Sequence, residues 1–134
     1  MRVFAILIAM TFCAGASGKC LTHSFEVNGT VSDWSGRAIA GAVIAVSWVE
    51  RGRAQGPVVA HSDSAGHYSL NIMFSTYTKG SWFRGDVCKE KLAELAVSAS
   101  APGLVADPTH IAVQGSAITA NLSLKATAPT GAAP

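Results

Sequence analysis

The sequence predicts an all-β protein: a seven-stranded antiparallel β-sandwich that follows an N-terminal signal peptide. Three observations predict it. Apolar residues recur at every second position in several short runs, the period of a strand with one wet face. Turn-forming residues interrupt those runs about every eight to twelve positions. Helix signals are scarce. At 134 residues the chain is long enough for one domain.

The N-terminus reads as a targeting segment. Arg2 supplies a positive start, and Val3 to Phe12 (VFAILIAMTF) is a short apolar run. Such a run is too short to span a bilayer and suits a signal-peptide core. Small residues follow at Ala14–Ser17, so cleavage is expected after Ala16 or Gly18. The alternative is a buried first strand. Residues 1–18 are therefore assigned as signal peptide, 19–125 as the sandwich domain and 126–134 as a disordered tail. The mature chain is expected in the periplasm or secreted, without a transmembrane segment. Phe12 before Cys13 and Lys19 before Cys20 are too large for a lipidation signal.

Cleavage removes Cys13 and leaves Cys20 and Cys88. In an oxidising compartment the simple reading is one disulfide, worth ~4 kcal/mol at most by loop entropy. Two unpaired buried thiols are the alternative. Two distant cysteines without a CxxC motif or a paired histidine do not make a zinc site.

The strands follow in order. Phe25, Val27, Gly29 and Val31 alternate with polar residues, and Asp33–Arg37 is a turn. Ala42–Val49 is apolar at nearly every position, which predicts a central strand covered on both faces for part of its length. Glu50–Gly56 (ERGRAQG) reads as a polar loop, and Val58, Ala60 and Ser62 line a short strand. In Ser62–Leu70 (SDSAGHYSL), Asp63 and Ser64 can accept backbone hydrogen bonds and Gly66 can take a positive φ. This bend places Tyr68, Leu70, Ile72 and Phe74 on one face. Ser75–Lys91 breaks the pattern. Leu95, Val97 and Ala99 resume it, after a stretch (KEKLAELA) with helix-forming residues. Pro102-Gly103 ends that segment. Ile111 and Val113 mark a short strand, and Ile118, Ala120, Leu122 and Leu124 the last one. The tail from Ala126 is too poor in large apolar groups to order itself.

Charged residues make up 13% of the chain and the net charge is +2, without a basic stripe. That excludes an electrostatic footprint for nucleic acid.

Val27–Val31 (VNGTV), Ser35–Val46 (SGRAIAGAVIAV) and Ser62–Leu70 (SDSAGHYSL) together resemble the carboxypeptidase regulatory-like domain. Ala99–Leu104 and Asn121–Leu124 are similar to that family's later corner and final strand. The match covers most of residues 24–125. The resemblance implies a transthyretin-like (prealbumin-like) sandwich. It implies an accessory or stand-alone extracytoplasmic module and no peptidase activity. The Ser75–Lys91 segment is longer than the family's usual connection.

No catalytic residue, metal or cofactor is assigned. His23, His61, His67 and His110 lack zinc-ligand spacing, although His61 and His67 flank the turn closely enough for a surface metal clip. Ser62 and Ser64 lie beside His61, Asp63 and His67, but sequence neighbours rarely converge on one reacting atom. The hydroxyisourate hydrolases of related architecture end in Tyr-Arg-Gly-Ser, which this chain lacks. Intradiol ring-cleaving dioxygenases hold iron with two tyrosines and two histidines. Tyr68, Tyr77 and the histidines supply those types, but Tyr68 belongs in the core and an H-x-H pair is missing. Asn121 could serve a pilin-type isopeptide bond, but no lysine lies in the first strand.

The candidate binding residues are Tyr77, Lys79, Trp82, Phe83 and Arg84 in the long segment, with Trp34 in its turn. Aromatic faces beside cations suit a partner protein or a sugar ring. The alternative is a compact segment folded onto the sandwich by Trp82 and Phe83 and tied down by Cys88. The expected function is a non-catalytic module for protein interaction or envelope assembly, its partner an envelope or secreted protein. Carbohydrate binding through the loop aromatics comes second. Asn28-Gly29-Thr30 and Asn121-Leu122-Ser123 match the glycosylation pattern but fall in expected strands.

Overall fold

Alternating burial sets the framework. In β4 (His67–Ser75) every second side chain from Tyr68 to Phe74 is buried and the others face solvent. The computed structural model describes residues 20–80, 82, 83, 85 and 87–127. The expected signal peptide, Arg84 and residues 128–134 of the expected tail lie outside the described residues. The remaining strands are β1 (Thr22–Asp33), β2 (Val43–Glu50), β3 (Arg53–His61), β5 (Tyr77–Thr78), β6 (Val87–Cys88), β7 (Glu94–Ala101), β8 (Leu104–Ala112), β9 (Ala117–Thr119) and β10 (Leu122–Ala126). The protein is all-β. No helix among the described residues is long and apolar enough to cross a membrane.

The main sheet runs β3-β2-β7-β8-β10-β1-β4, with β9 also against β1; β5 and β6 form a separate two-stranded ribbon. This corrects the expectation of seven antiparallel strands. β1 pairs in parallel with both β9 and β10, and the described residues form ten strands. Alternation reports which face of a strand is buried, not the direction of its neighbour.

β10 has two neighbours. Leu122–Leu124 lie parallel to Val31–Asp33, then Lys125 and Ala126 pair antiparallel with Val105 and Leu104. One apolar cluster fills the space enclosed by the curled sheet. It includes Val27, Val31, Ile44, Val46, Tyr68, Ile72, Phe74, Leu95, Val97 and Leu124. At ~1.5–3 kcal/mol for each large side chain buried, this cluster is the main driving force for folding.

Four local expectations change. Only one face of β2 is covered by the chain: Ile44 and Val46 are buried, whereas Val43 and Val49 are exposed. The ERGRAQG stretch is not a loop. Arg51 and Gly52 (φ 52° and 70°) make a two-residue turn between β2 and β3, and Arg53–Gly56 already belong to β3. Consecutive positive φ angles match the twist of the flanking strands, so two residues suffice. β8 likewise begins directly after Pro102-Gly103. Its Asp107 and Pro108 sit at a register shift against β7, which hid its first part from a period-two reading that marked a short strand only at Ile111 and Val113. Ala126 ends β10 and the Thr127 amide donates to the Gly103 carbonyl at 3.1 Å, so these two residues belong to the ordered fold and not to the expected tail.

The quoted bend is built by its aspartate. Asp63 Oδ1 accepts from the Ala65 and His67 amides at 2.8 and 2.9 Å. Gly66 has φ 79°, and a Cβ there would lie 2.6 Å from the Val31 carbonyl oxygen. Ser62 is buried and fully engaged: its hydroxyl donates to the Ile39 carbonyl at 2.6 Å and accepts from the Ala42 amide at 2.9 Å. It is a structural latch, not a nucleophile awaiting a base.

Candidate functional site

The functional candidates divide between the two ends of β1. Two residues before its start the chain is fastened by a Cys20–Cys88 disulfide, with Cα atoms 5.3 Å apart. Cys88 lies in β6 and pairs with Tyr77 of β5, so ribbon and disulfide fix the same point of the long segment. The Glu90 amide donates to the Thr76 carbonyl at 3.1 Å, and the Thr78 hydroxyl donates to Glu90 Oε1 at 3.1 Å. The Thr76 amide reaches the Leu21 carbonyl at 3.3 Å. The base of the segment is thus tied to β1 by covalent and hydrogen bonds.

Its tip projects into solvent. Trp82 is 95% exposed and Phe83 92% exposed. Their ring centroids lie 6.3 Å apart with planes inclined by 42°. Trp82 and Phe83 do not fold back onto the body of the protein, as the compact-segment alternative required. Cys88 does tie the segment down. Tyr77 is half-buried, with the Arg51 guanidinium 5.8 Å from its ring centre. Arg51 was not singled out in the sequence; only the β2–β3 turn brings it to this end. Lys79 is exposed nearby in the chain.

Beside the ribbon lies a cleft of about 430 Å³. Phe25, Phe74, Leu92 and Val113 give it an apolar floor, and His23, Glu90 and Lys91 lie on its wall. Phe25 and Phe74 meet edge to face, with centroids 6.5 Å apart. The cleft is where the two sides of the curled sheet part at the end of the core. Nothing local in the sequence marks it, because its lining comes from segments far apart in the chain.

Trp34 does not join this group. It is 81% exposed on the turn that follows β1, at the opposite end of that strand. At about 3.3 Å per residue this separates it from the disulfide by on the order of 40 Å along the strand. Its turn is organised by Asp33. Asp33 Oδ1 accepts from the Ser35 hydroxyl at 2.6 Å and from the Ser35 and Arg37 amides, and Oδ2 accepts from Arg37 Nε at 3.1 Å. The Ser35 hydroxyl, then the Arg37 amide, hold this carboxyl at about 2. Trp48 packs against the core from β2, as expected of a tryptophan at a sheet end.

The tyrosines and histidines do not assemble an iron site. The Tyr68 phenol is buried and donates to the Ala120 carbonyl at 2.6 Å, and burial pushes its pKa up to about 12. A ligating tyrosinate needs the opposite shift. Tyr77 lies past the other end of β4, roughly 30 Å along the chain at strand rise. His61 and His67 flank the Asp63 turn, His23 sits at the start of β1, and His110 on β8 pairs with Glu94. Among the described residues no group of three or more His, Cys, Asp and Glu side chains is placed to hold a metal ion. Asn121 Oδ1 accepts from the Thr30 amide and hydroxyl at 3.1 and 3.0 Å, and Asn28 Oδ1 accepts from the Thr119 hydroxyl. Both amides serve to join β1 to the chain around β9 and β10.

No protein-family model matches the chain. No curated protein matches it either. Solved structures of similar fold include chlorocatechol 1,2-dioxygenase from Pseudomonas putida, at 12% identity and a TM-score of 0.54, covering 77% of this chain and 60% of that one. The wild-type catechol 1,2-dioxygenase of Acinetobacter radioresistens is similar at 16% identity and a TM-score of 0.55, covering 84% of this chain and 56% of that one. The 3-chlorocatechol 1,2-dioxygenase of Rhodococcus opacus 1CP gives 10% identity and a TM-score of 0.50, covering 78% and 61%. The chain spans little more than half the length of these enzymes, and at such identities the likeness is one of β fold.

Proposed function

We propose that this chain is a non-catalytic interaction module, periplasmic or secreted, that engages an envelope or secreted protein through its disulfide-tied aromatic tip. The observation that carries this reading is the pair Trp82 and Phe83, 95% and 92% exposed at the end of a segment whose base is fixed. Large aromatic groups held in water on an anchored base suit a contact surface: they contribute apolar area at low ordering cost when a partner covers them. The disulfide supports an oxidising compartment. The run β3-β2-β7-β8 on one side of the core and β4-β1-β9 on the other supports a transthyretin-like sandwich of the carboxypeptidase regulatory-like kind. The dioxygenase likeness is not extended to activity, because the tyrosines and histidines stand apart.

Carbohydrate binding is the second reading, favoured by the bare ring faces of Trp82 and Phe83 with Lys79 close by in the chain. A photo-crosslinking aromatic residue in place of Phe83 tests both in the producing cell. A discrete protein adduct that disappears with Trp82→Ala supports the leading reading. Glycan binding that Trp82→Ala abolishes, with no protein adduct, moves the assignment to carbohydrate. Neither adduct nor glycan binding sinks both.

A further inference from the structure

The free edge of β4 is unlike the other open edges of the sheet. β3, at the far end of the strand order, carries Arg53 and Pro57 and pairs with β2 through a register shift between Val46 and Trp48. β8, past its short pairing with β10, carries Asp107 and Pro108 at its own register shift. Charges, prolines and bulges are the usual means of stopping a strand edge from recruiting another chain. β4 has none of them. His67–Ser75 contains no Lys, Arg, Asp, Glu, Pro or Gly, and its register with β1 is unbroken from Ser75 to His67.

The backbone groups that face outward can be identified. The Gly66 carbonyl accepts from the Val31 amide, just before β4, and the Thr76 amide donates to the Leu21 carbonyl, just after it. Bonding direction alternates along an antiparallel strand, so even-numbered residues of β4 bond to β1 and odd-numbered ones point away. At His67 the outward amide and carbonyl are taken by Asp63. Ser69, Asn71 and Met73 then present their amides and carbonyls to the side where, among the described residues, no strand follows.

We propose that a second copy of this chain pairs here, its β4 antiparallel to the first across a two-fold axis at Asn71. The strand is its own complement in that register. Met73, 58% exposed, lies opposite the partner copy's Ser69, Asn71 opposite Asn71, and no charge faces a like charge. The three residue pairs exchange about six backbone hydrogen bonds. An edge contact of this kind is small, so the dimer is concentration-dependent and not obligate. It does not rest on the aromatic tip, which lies beyond the end of β4.

Light scattering and sedimentation of the folded chain from about a micromolar to about a millimolar test the proposal. The expected result is a mass that rises to that of a dimer. Asn71→Lys, at an exposed position, is expected to raise the midpoint about tenfold or more by opposing two like charges while keeping the thermal midpoint of the monomer. Met73→Lys on the same edge gives a second, independent disruption. Asn71→Cys is expected to yield a dimer linked through that residue on oxidation. A monomer at every concentration overturns the proposal. So does a dimer that both lysine variants leave intact, or one that Trp82→Ala with Phe83→Ala abolishes.

Discussion

The Tyr68 phenol donates to the Ala120 carbonyl at 2.6 Å across the bare α-carbon of Gly29. A Cβ on Gly29 would lie 1.9 Å from the Ala120 oxygen and 3.1 Å from the Tyr68 ring. The glycine lets the chain around Ala120 close against β1, and the Ala120 amide completes the contact by donating to the Asn28 carbonyl at 2.8 Å. Tyr68→Phe is expected to cost ~1–3 kcal/mol by leaving a buried carbonyl unpaired. Gly29→Ala is expected to cost more, because backbone must move to admit the methyl group. Urea unfolding of the two variants checks the order.

Alkali should act on the same residue. Burial raises the Tyr68 pKa from 10.0 to about 12. Between those values the unfolded chain has lost a proton that the folded chain keeps, so stability falls as pH rises from about 10 to about 12. Tyr68→Phe should flatten this part of the stability curve. An unchanged alkaline slope in that variant would contradict the assignment.

Acid should act on the Trp34 turn. Asp33 is held at about 2 against an ordinary 3.8, first by the Ser35 hydroxyl and then by the Arg37 amide. The folded state therefore binds this proton later than the unfolded chain does. Its contribution is complete above about pH 4 and is lost as pH falls towards 2. Asp63 is shifted in the same direction, chiefly by the His67 amide. Ser35→Ala should move the acid-unfolding midpoint upwards, as followed by circular dichroism.

Replacing both disulfide cysteines by serine should lower stability by no more than ~4 kcal/mol, the loop-entropy limit for a crosslink between residues 68 apart. The strand pairing of the main sheet does not pass through Cys20 or Cys88, so the far-ultraviolet spectrum should be retained. Limited proteolysis should then cut first between Tyr77 and Val87. Cleavage elsewhere would mean that the disulfide supports more than this segment.

Trp82→Ala and Phe83→Ala should each change stability by less than ~0.5 kcal/mol, because both rings are surrounded by water. Thermal melts check this. A large loss would show that the tip is packed against the body in solution.

The buried face of each strand was legible wherever period-two spacing was intact: β4 is the clearest case, and Tyr68 was placed inward because Gly66 resets the phase of the alternation. The Asp63 turn was legible for the same local reason. What failed was non-local or masked. The Arg51-Gly52 hairpin was hidden because Arg51 is not a usual turn residue at positive φ. The first half of β8 was hidden by Asp107 and Pro108, which break its alternation at the register shift, although Ile111 marked its end. Parallel pairing of β1 with β9 and β10 has no local signature. In the candidate site, the clustering of aromatics in one segment was readable from composition but their exposure was not, and Arg51 over Tyr77 and the cleft floor depend on which turns meet at one end. The separation of Trp34 from that group follows only from the length and direction of β1.

The double allegiance of β10 has a consequence for how the protein reaches its native state. Its residues beside Val31 come more than ninety positions later in the chain, and the last two residues of the same strand pair with β8 on the opposite flank. Early-made segments can form hairpins such as β2–β3, but the enclosure around the core cannot shut until Leu124 has emerged. Assembly is therefore governed by distant rather than nearby pairings, which makes it slow for a chain of this size.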